Sequence, residues 1–278
     1  MLYYKDELGI TESIALTNAA QGVISMKTIQ KIEQEFKTCQ NDELKELLSL
    51  YAPDSRDGVQ KICDKYSKKL AKHYDELLRL KKISQYEERY FDSGLRTVAG
   101  LDEVGRGPLA GPVVACCVVF KKGTIIEGVG DSKKLSEKKR NTVFWDIKRK
   151  ALDIGMGVVD EKVIDKINIV NATKLAMREA LDNLTIKPDA LLIDHLSLED
   201  IDCVQESIVK GDEKCFSIGA ASIMAKVMRD EMMHNYAKEY PEYHFDKNKG
   251  YGSREHFEAL FQYGASPIHR QSFLKKLK

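Results

Sequence analysis

The chain has 278 residues, with 44 Lys and Arg against 43 Asp and Glu, which gives a formal net charge of +1. With 43% hydrophobic and 31% charged residues, the composition excludes a disordered, collagen-like or mucin-like protein and gives no sign of a uniformly basic nucleic-acid binder. No run of 18 apolar residues is present, and the N-terminus lacks the basic and apolar regions of a signal peptide. We therefore expect a cytoplasmic protein without membrane association.

An N-terminal helical extension is predicted over residues 1–92. Residues 1–25 fit neither a helical nor a strand period and are expected to form a weakly packed arm. The rest is polar and almost free of glycine. It carries one long apolar stripe at steps of mostly three and four residues, which predicts an amphipathic helix. The residues of this stripe are Val59, Ile62, Cys63, Tyr66, Leu70, Leu77 and Leu78.

Two helix starts in the extension have recognisable capping residues. Asn41 is a candidate N-cap, because acidic residues follow it in the first turn. Ser84 with Glu87 three residues later fits a capping box. Gly94 marks the expected end of the short helix that follows.

Residues 93–278 are predicted to form an α/β domain. Short Val-rich apolar runs between glycines indicate buried strands, and longer segments with helical periodicity lie between and after them. Strands are expected at 97–104, 112–120, 151–159 and 190–194, and helices at 136–150, 170–184, 217–240 and 253–263. Mixed strands and helices in this order predict a sheet that is covered on both faces.

Four acidic residues stand at the ends of apolar segments: Asp102, Glu103, Asp194 and Asp212. Any one of them could be a turn residue or a helix cap. As a set they are costly to bury unless a cation binds them. No His or Cys cluster accompanies them, so they indicate a hard cation, Mg²⁺ or Mn²⁺. Adjacent strand residues point to opposite faces, so Asp102 and Glu103 reach one site only if the strand bends or the longer Glu103 side chain compensates.

Several long motifs resemble type 2 ribonuclease H, the ribonuclease HII family. The first is AGLDEVGRGPLAGPV at 99–113. The others follow in the family's order between residues 97 and 273: DSKKLS at 131–136, LID at 192–194, KGD at 210–212, AASIMAKVMRD at 220–230, NKGYG at 248–252 and HR at 269–270. An ordered set of this length is highly specific, whereas one glycine motif would be weak. Some bacterial members of the family resemble this chain in carrying an N-terminal extension.

The resemblance implies a ribonuclease H-like fold, with a mixed central sheet flanked by helices. It also implies cleavage of RNA in RNA–DNA hybrids and cutting 5′ of single ribonucleotides in duplex DNA. The family uses two metal ions, Mn²⁺ or Mg²⁺, and leaves 3′-hydroxyl and 5′-phosphate ends. By motif match, the acidic residues that bind metal and carry catalysis are Asp102, Glu103, Asp194 and Asp212.

The resemblance places a sensor of the RNA–DNA junction at Gly105, Arg106 and Gly107, together with Tyr251. Glycine allows the backbone to approach a sugar and to hydrogen-bond its 2′-hydroxyl, the group that distinguishes RNA from DNA. Arg106 can hold a phosphate with two hydrogen bonds, and the Tyr251 ring can stack on the next nucleotide. Without the surrounding motifs, a tight turn and a partly buried aromatic would be the simpler interpretations.

Three lysines, Lys133, Lys134 and Lys226, are candidate phosphate contacts. The first two lie in an expected loop, where a solvated charged loop is an equally good interpretation. Arg229 and Asp230 are interpreted as a solvated pair on a helix surface.

Other polar residues receive structural interpretations. A non-catalytic role is favoured for His195, because the family uses metals and water rather than a histidine triad. Asp131, Asp230 and Asp246 are interpreted as structural.

Two alternatives remain open. One is a type 3-like ribonuclease H that acts on longer RNA runs, although the 105–109 segment resembles type 2. The other is a catalytically silent nucleic-acid-binding protein, which the intact acidic set argues against. We expect a monomer.

The near-neutral net charge conceals an uneven distribution. Residues 121–150 carry 10 Lys and Arg against 4 Asp and Glu, whereas 151–243 carry 10 against 18. Local basic segments can therefore contact phosphates beside an acidic centre, so near-neutrality excludes only uniform basicity.

Overall fold

The computed structural model describes residues 27–130 and 135–275. The predicted arm at 1–25 lies outside these residues. The chain divides into two compact units, with the boundary after Leu78. None of the helices in the described residues combines the length and the hydrophobicity that a membrane span requires.

The N-terminal unit is helical. It contains α1 (Ile29–Thr38), α2 (Asn41–Tyr51) and the first part of α3 (Asp57–Ile83). Its core forms because the apolar stripe of α3 packs on buried residues of α1 and α2. Within this core, the ring centroids of Phe36 and Tyr66 lie 5.0 Å apart. The buried residues are Ile32, Phe36, Leu44, Tyr51, Val59, Ile62, Cys63, Tyr66 and Leu70.

Two details of these helices differ from the sequence prediction. Gln40 rather than Asn41 is the N-cap of α2, because Gln40 is the residue with extended backbone and its N–H donates to the Glu43 carboxylate at 3.1 Å. Leu78 is 60% exposed, so it does not belong to the buried stripe of α3. The later turns of α3 instead bury Leu80 and Ile83 in a core of the second unit.

The second unit begins with the end of α3 and contains one sheet with helices. The strands are β1 (Val98–Val104), β2 (Val113–Phe120), β3 (Asp153–Val159), β4 (Ala190–Asp194) and β5 (Val204–Ile208). The helices are α4 (Gln85–Asp92), α5 (Glu137–Lys150), α6 (Glu161–Asp182), α7 (Gly211–Lys214), α8 (Phe216–Glu239), α9 (Phe245–Asn248), α10 (Arg254–Tyr263) and α11 (Gln271–Leu274).

The sheet has the order β3-β2-β1-β4-β5. Strands β1, β2 and β3 pair antiparallel, whereas β4 pairs parallel to both β1 and β5. Strand β1 is therefore central, with a hairpin partner on one side and a parallel partner on the other. This mixed sheet with flanking helices confirms the predicted fold class.

Each face of the sheet is covered by one long helix. Alternate side chains of β1 and β2 pack with α6 in one core, and the others pack with α8 in a second core. Glycines permit the close approach. A Cβ atom on Gly157 would lie 1.9 Å from the Ala176 carbonyl oxygen of α6, and one on Gly100 would lie 2.0 Å from the Ser217 carbonyl carbon of α8.

Three features of this unit were not predicted. Helix α6 begins at Glu161 rather than Val170, because Asp160 caps it and Asn168 makes a kink with a φ of 68° inside it. The sequence prediction missed the edge strand β5, whose side chains are mostly half-buried or exposed and so lack an apolar run. It also missed the single-turn helices α7, α9 and α11, which are too short to show a period.

Candidate active site

Two buried strands deliver acidic side chains to the same edge of the sheet. Strands β1 and β4 are parallel neighbours, so their carboxyl ends lie together. Their pairing ends at Leu101 and Ile193, whereas β1 stays paired with β2 as far as Val104. Beyond Leu101 one edge of β1 is therefore open, and Asp102 and Asp194 follow the last paired residues on either side of the opening.

The opening is a cleft of about 360 Å³. It contains all four predicted acidic residues, and Asp212 enters from α7, which follows β5. The adjacent residues Asp102 and Glu103 both line the cleft, so their alternation on the strand does not separate them. The complete lining is Asp102, Glu103, Val104, Gly105, Arg106, Gly107, Arg140, Asp194, Asp212, Ser222, Lys226 and Tyr251.

The acidic residues create a strongly negative, poorly solvated centre. Burial raises the pKa of Asp102 well above its usual value, and the charges of Glu103 and Asp194 raise it further. Burial also raises the pKa of Glu103, although the Arg106 guanidinium, 3.2 Å away, opposes that rise. A bound cation would offset both the free-energy cost of burying these carboxylates and their mutual repulsion.

The cluster fits a hard divalent cation in its donor chemistry. Four carboxylates line the cleft, and the buried Oε2 of Glu103 has no hydrogen-bond partner. Two other carboxylate oxygens accept hydrogen bonds from the main chain. Asp194 Oδ1 accepts from Gly211 N–H at 2.6 Å, and Asp102 Oδ1 accepts from Glu103 N–H at 2.7 Å. Among the described residues, no group of three His, Cys, Asp or Glu side chains is positioned closely enough to hold a metal ion without rearrangement.

The predicted junction sensor lies in the same cleft. Gly105 has a φ of +92°, which favours glycine, and a Cβ atom there would lie 2.3 Å from Arg229 Nε. Tyr251 is 44% exposed. A Cβ atom on Gly107 would lie 3.7 Å from the Tyr251 ring. The glycine loop and the tyrosine are therefore neighbours, with the ring open to a ligand.

The predicted phosphate contacts have different outcomes. Lys226 lines the cleft and pairs with Asp230 at 2.7 Å. Lys133 and Lys134 lie outside the described residues, and so does Asp131. His195 has a φ of 54° and does not line the cleft, although it follows Asp194 directly. The catalytic and binding roles assigned from the sequence stay predictions.

Two lining residues, Arg140 and Ser222, were not predicted as site residues. Ser222 lowers the pKa of Asp102 through a side-chain hydrogen bond. Arg140 reaches the cleft from α5, with its NH1 4.0 Å from Asp230. Their sequence signals are weak, because Ser222 reads as a small packing residue and Arg140 as one charge in a basic helix.

The interpretation of Arg229 as a surface residue was wrong. Arg229 is completely buried, because it lies one helical turn from the buried Ala225 and one from the buried Met233. An i, i+4, i+8 position between two apolar residues was the available signal. Its neighbour Asp230 is paired with Lys226, in keeping with its interpretation as structural.

The comparisons with known proteins agree across the chain. The family model described as Ribonuclease HII matches residues 99–276, and the one described as Ribonuclease HII N-terminal domain matches residues 28–91. Ribonuclease HII of Clostridioides difficile is 49% identical over 251 residues, which cover 90% of this chain and 98% of that protein. Ribonuclease HII of Acetivibrio thermocellus is 49% identical over 248 residues, 89% of this chain and 97% of that protein.

A solved structure gives the same result. The crystal structure of the ribonuclease H2 from Pyrococcus horikoshii matches with a TM-score of 0.54 and 31% identity, covering 63% of this chain and 93% of that chain. The matched family models together cover most of the present sequence. The chain belongs to the ribonuclease HII family and is a ribonuclease H, an endonuclease that hydrolyses phosphodiester bonds.

Proposed function

We propose that this enzyme hydrolyses the RNA strand of RNA–DNA hybrids and cuts 5′ of single ribonucleotides embedded in duplex DNA. The products are a 3′-hydroxyl and a 5′-phosphate. One observation carries the proposal: a single cleft contains the four acidic residues, the 105–107 loop and Tyr251. A site for phosphodiester cleavage and a site for recognising a ribose are thereby adjacent.

The acidic residues would hold two divalent cations, Mg²⁺ or Mn²⁺. The ligands are Asp102, Glu103, Asp194 and Asp212, and the buried, unpartnered Oε2 of Glu103 supports this assignment. When bound, such cations activate water for attack on the phosphorus and stabilise the leaving oxygen. Oxygen ligands accept either metal, so a comparison of the two in the assay determines the preference.

The other cleft residues bind and orient the substrate. The main chain of the 105–107 loop approaches the ribose and reads its 2′-hydroxyl, while the Arg106 guanidinium holds a phosphate. The exposed Tyr251 ring stacks on the following deoxynucleotide. Lys226 contacts the phosphate backbone from α8, and Lys133 and Lys134 are proposed to make further contacts to it.

The test compares two substrates of equal length, a DNA duplex with one ribonucleotide and a hybrid with a continuous RNA strand. We expect cleavage of both, with a 3′ end that a polymerase can extend. Cleavage of the hybrid alone would favour a type 3-like enzyme. Tyr251→Ala should lower cleavage at the single ribonucleotide, and unchanged cleavage there would contradict the sensor role.

The proposal also assigns different roles to the N-terminal and C-terminal parts of the chain. Residues 93–278 form the catalytic domain, and residues 1–92 form an extension for which three roles are open: binding of the hybrid, docking of a partner and stabilisation of the catalytic domain. The residue composition changes sharply at residue 97, from a polar helical pattern to a Val-rich strand pattern, and this change supports the division. A monomeric state and a cytoplasmic location stay predictions, and light scattering of the purified protein tests the first.

A further inference from the structure

Two completely buried arginines, Arg229 and Arg270, lie behind the 105–107 loop. Arg229 belongs to α8, and Arg270 directly precedes α11. A buried guanidinium normally has a carboxylate partner. Within the described part of the chain, the side-chain hydrogen bonds of these two arginines all go to main-chain carbonyl oxygens.

Arg270 closes the loop on itself. Its NH2 donates to the carbonyl oxygen of Gly105 at 2.6 Å, and its NH1 donates to that of Arg106 at 3.0 Å. Its Nε donates to the carbonyl oxygen of Gly111 at 2.9 Å. One planar fork therefore joins both ends of the 105–111 segment, which the single ammonium of a lysine cannot do.

Arg229 joins that segment to the part of the chain that carries Tyr251. Its NH2 donates to Ala110 O at 3.2 Å and its Nε to the adjoining Pro112 O at 2.9 Å, while its NH1 donates to Lys249 O at 2.9 Å. Its guanidinium carbon lies 6.0 Å from the centre of the Tyr251 ring. A main-chain hydrogen bond of 2.8 Å from Leu109 N–H to Gly250 O supports the same connection.

The direction of these bonds determines what the loop presents to the cleft. In a trans peptide, the C=O and the N–H point in opposite directions. Arg270 draws the carbonyl oxygens of Gly105 and Arg106 into the interior. The N–H groups of Arg106 and Gly107 therefore point away from Arg270, and both residues line the cleft.

Burying two cations costs free energy, and packing alone does not explain why arginines occupy these positions. Desolvation lowers the pKa of Arg229 to about 10, and desolvation with the nearby charge of Arg229 lowers that of Arg270 to about 9. Both arginines are still protonated at neutral pH. Apolar side chains of similar size often fill such positions without loss of stability, so packing alone does not account for two buried arginines here.

We propose that Arg229 and Arg270 are positioning residues for ribonucleotide recognition. They hold the 105–107 loop and Tyr251 as one unit, with two main-chain N–H groups directed at the substrate. This inference rests on the proposed function, because it assumes that the loop reads a ribose. It predicts that damage to either arginine lowers discrimination between ribonucleotide and deoxyribonucleotide rather than nucleic-acid binding in general.

The test uses Arg270→Lys and Arg229→Lys in the full chain. Arg178→Lys is the matched control, since Arg178 also donates to a main-chain carbonyl, that of Glu199, but lies away from the cleft. Binding is measured in EDTA for a DNA duplex with one ribonucleotide and for the same duplex without it. The ratio of the two affinities should fall about tenfold in the two test variants, the effect of misplacing one hydrogen bond, and stay at the wild-type value in the control.

A purely structural role gives different results. If both duplexes lose affinity equally in the test variants, the proposal is overturned. The second measurement is a cycle with Tyr251→Ala: in the Arg229→Lys background that change should cause little further loss of discrimination, and a full additional loss would contradict the proposed unit.

Hydrogen exchange of the wild-type protein provides a check that needs no variant to fold. The amides of Leu109 and Gly111, which donate to the carbonyl oxygens of Gly250 and Ile268, should exchange as slowly as those of β2, and rapid exchange of these two amides would overturn the proposal. Failure of the proposed function is recognised separately, because the wild-type protein would then bind both duplexes equally and leave the single ribonucleotide uncut.

Discussion

The carboxylate of Glu87 accepts a hydrogen bond from the main-chain N–H of Ser217 at 2.7 Å, across 130 residues of sequence. The same oxygen lies 3.0 Å from the Cys215 thiol. Glu87 thereby provides an acceptor for one N–H of the first turn of α8, and it is not part of a capping box with Ser84, whose side chain makes no capping hydrogen bond. A side chain of α4 thus fixes the start of the helix that carries Ser222 and Lys226 into the cleft.

Removing this contact should destabilise the protein measurably. Glu87→Ala leaves the Ser217 N–H buried without an acceptor, which costs about 1–3 kcal/mol in the free energy of unfolding. Glu87→Gln retains one acceptor oxygen and should lose less. Urea unfolding measures both changes. Glu88→Ala, one residue along the same helix, removes only a 3.8 Å surface contact to Lys122 and should change stability little; an equal loss there would contradict the assignment.

Acid should destabilise the C-terminal part of the second unit through two buried histidines. Ser266 N–H donates to His269 Nδ1 at 2.9 Å, so the ring proton of His269 is on Nε2 and points to His256 Nε2, also 2.9 Å away. Burial, with the charge of His256, lowers the pKa of His269 to about 4. The pKa of His269 in the folded protein is below its value of about 6.5 in the unfolded chain. The stabilisation that the neutral, buried His269 contributes is therefore complete above about pH 6.5, and it is lost as the pH falls from about 6.5 to 4.

The expected loss is up to about 3 kcal/mol. Thermal unfolding between pH 8 and pH 4.5 measures it. His269→Gln should be less stable at pH 8 but should show a flatter dependence on pH in this window. His234→Gln, in the groove between α5 and α8 and outside this pair, should keep the wild-type profile. A wild-type profile in His269→Gln would show that another group is responsible.

Asp102→Asn should separate stability from activity. It removes one negative charge from a buried cluster in which Glu103 and Asp194 repel it. Cleavage in Mg²⁺ or Mn²⁺ should fall to background, whereas binding of the duplex should persist. The melting temperature in EDTA should rise, because fewer like charges are buried. Asp246→Asn, outside the cleft, is the matched control, and retained cleavage by Asp102→Asn would contradict the proposed metal site.

The glycines between β3 and α6 should tolerate no side chain. A Cβ atom on Gly157 would lie 1.9 Å from the Ala176 carbonyl oxygen. Gly157→Ala should therefore cost about 3 kcal/mol or more, because the helix has to move off the sheet. Gly123→Ala is the comparison: it has open space but a φ of +78°, so it should cost only about 1 kcal/mol. Because Gly157 has no positive φ, a loss there no larger than at Gly123 would contradict the expected crowding.

The acidic edge of the sheet could be predicted because its signal is local. Asp102 and Asp194 each follow an apolar strand, and parallel strands bring their carboxyl ends together. The same strands gave the fold class. The extent of α6 could not be predicted in this way, because Asn168 interrupts its helical geometry and its first two turns therefore show no continuous stripe.

The supporting residues could not be predicted because their partners are distant in the sequence. Glu87 has a nearby serine in the pattern of a capping box, but its actual partner lies on another helix. Arg229 and Arg270 bind carbonyl groups, which every residue has, so no complementary side chain marks the partners. Only the position of Arg229 between Ala225 and Met233 indicated burial.

The central position of β1 also has a consequence for the order of assembly. Its antiparallel partner follows at once in the chain, but its parallel partner pairs Val98 with Ala190, across a long intervening segment. Closing such a loop is entropically costly and slow. Asp102 and Asp194 therefore come together only after β4 has been synthesised. The neighbouring 105–107 loop acquires its contacts to Arg270 later still, when that residue has been synthesised. A growing chain on the ribosome thus has no working nuclease centre until Arg270 has emerged.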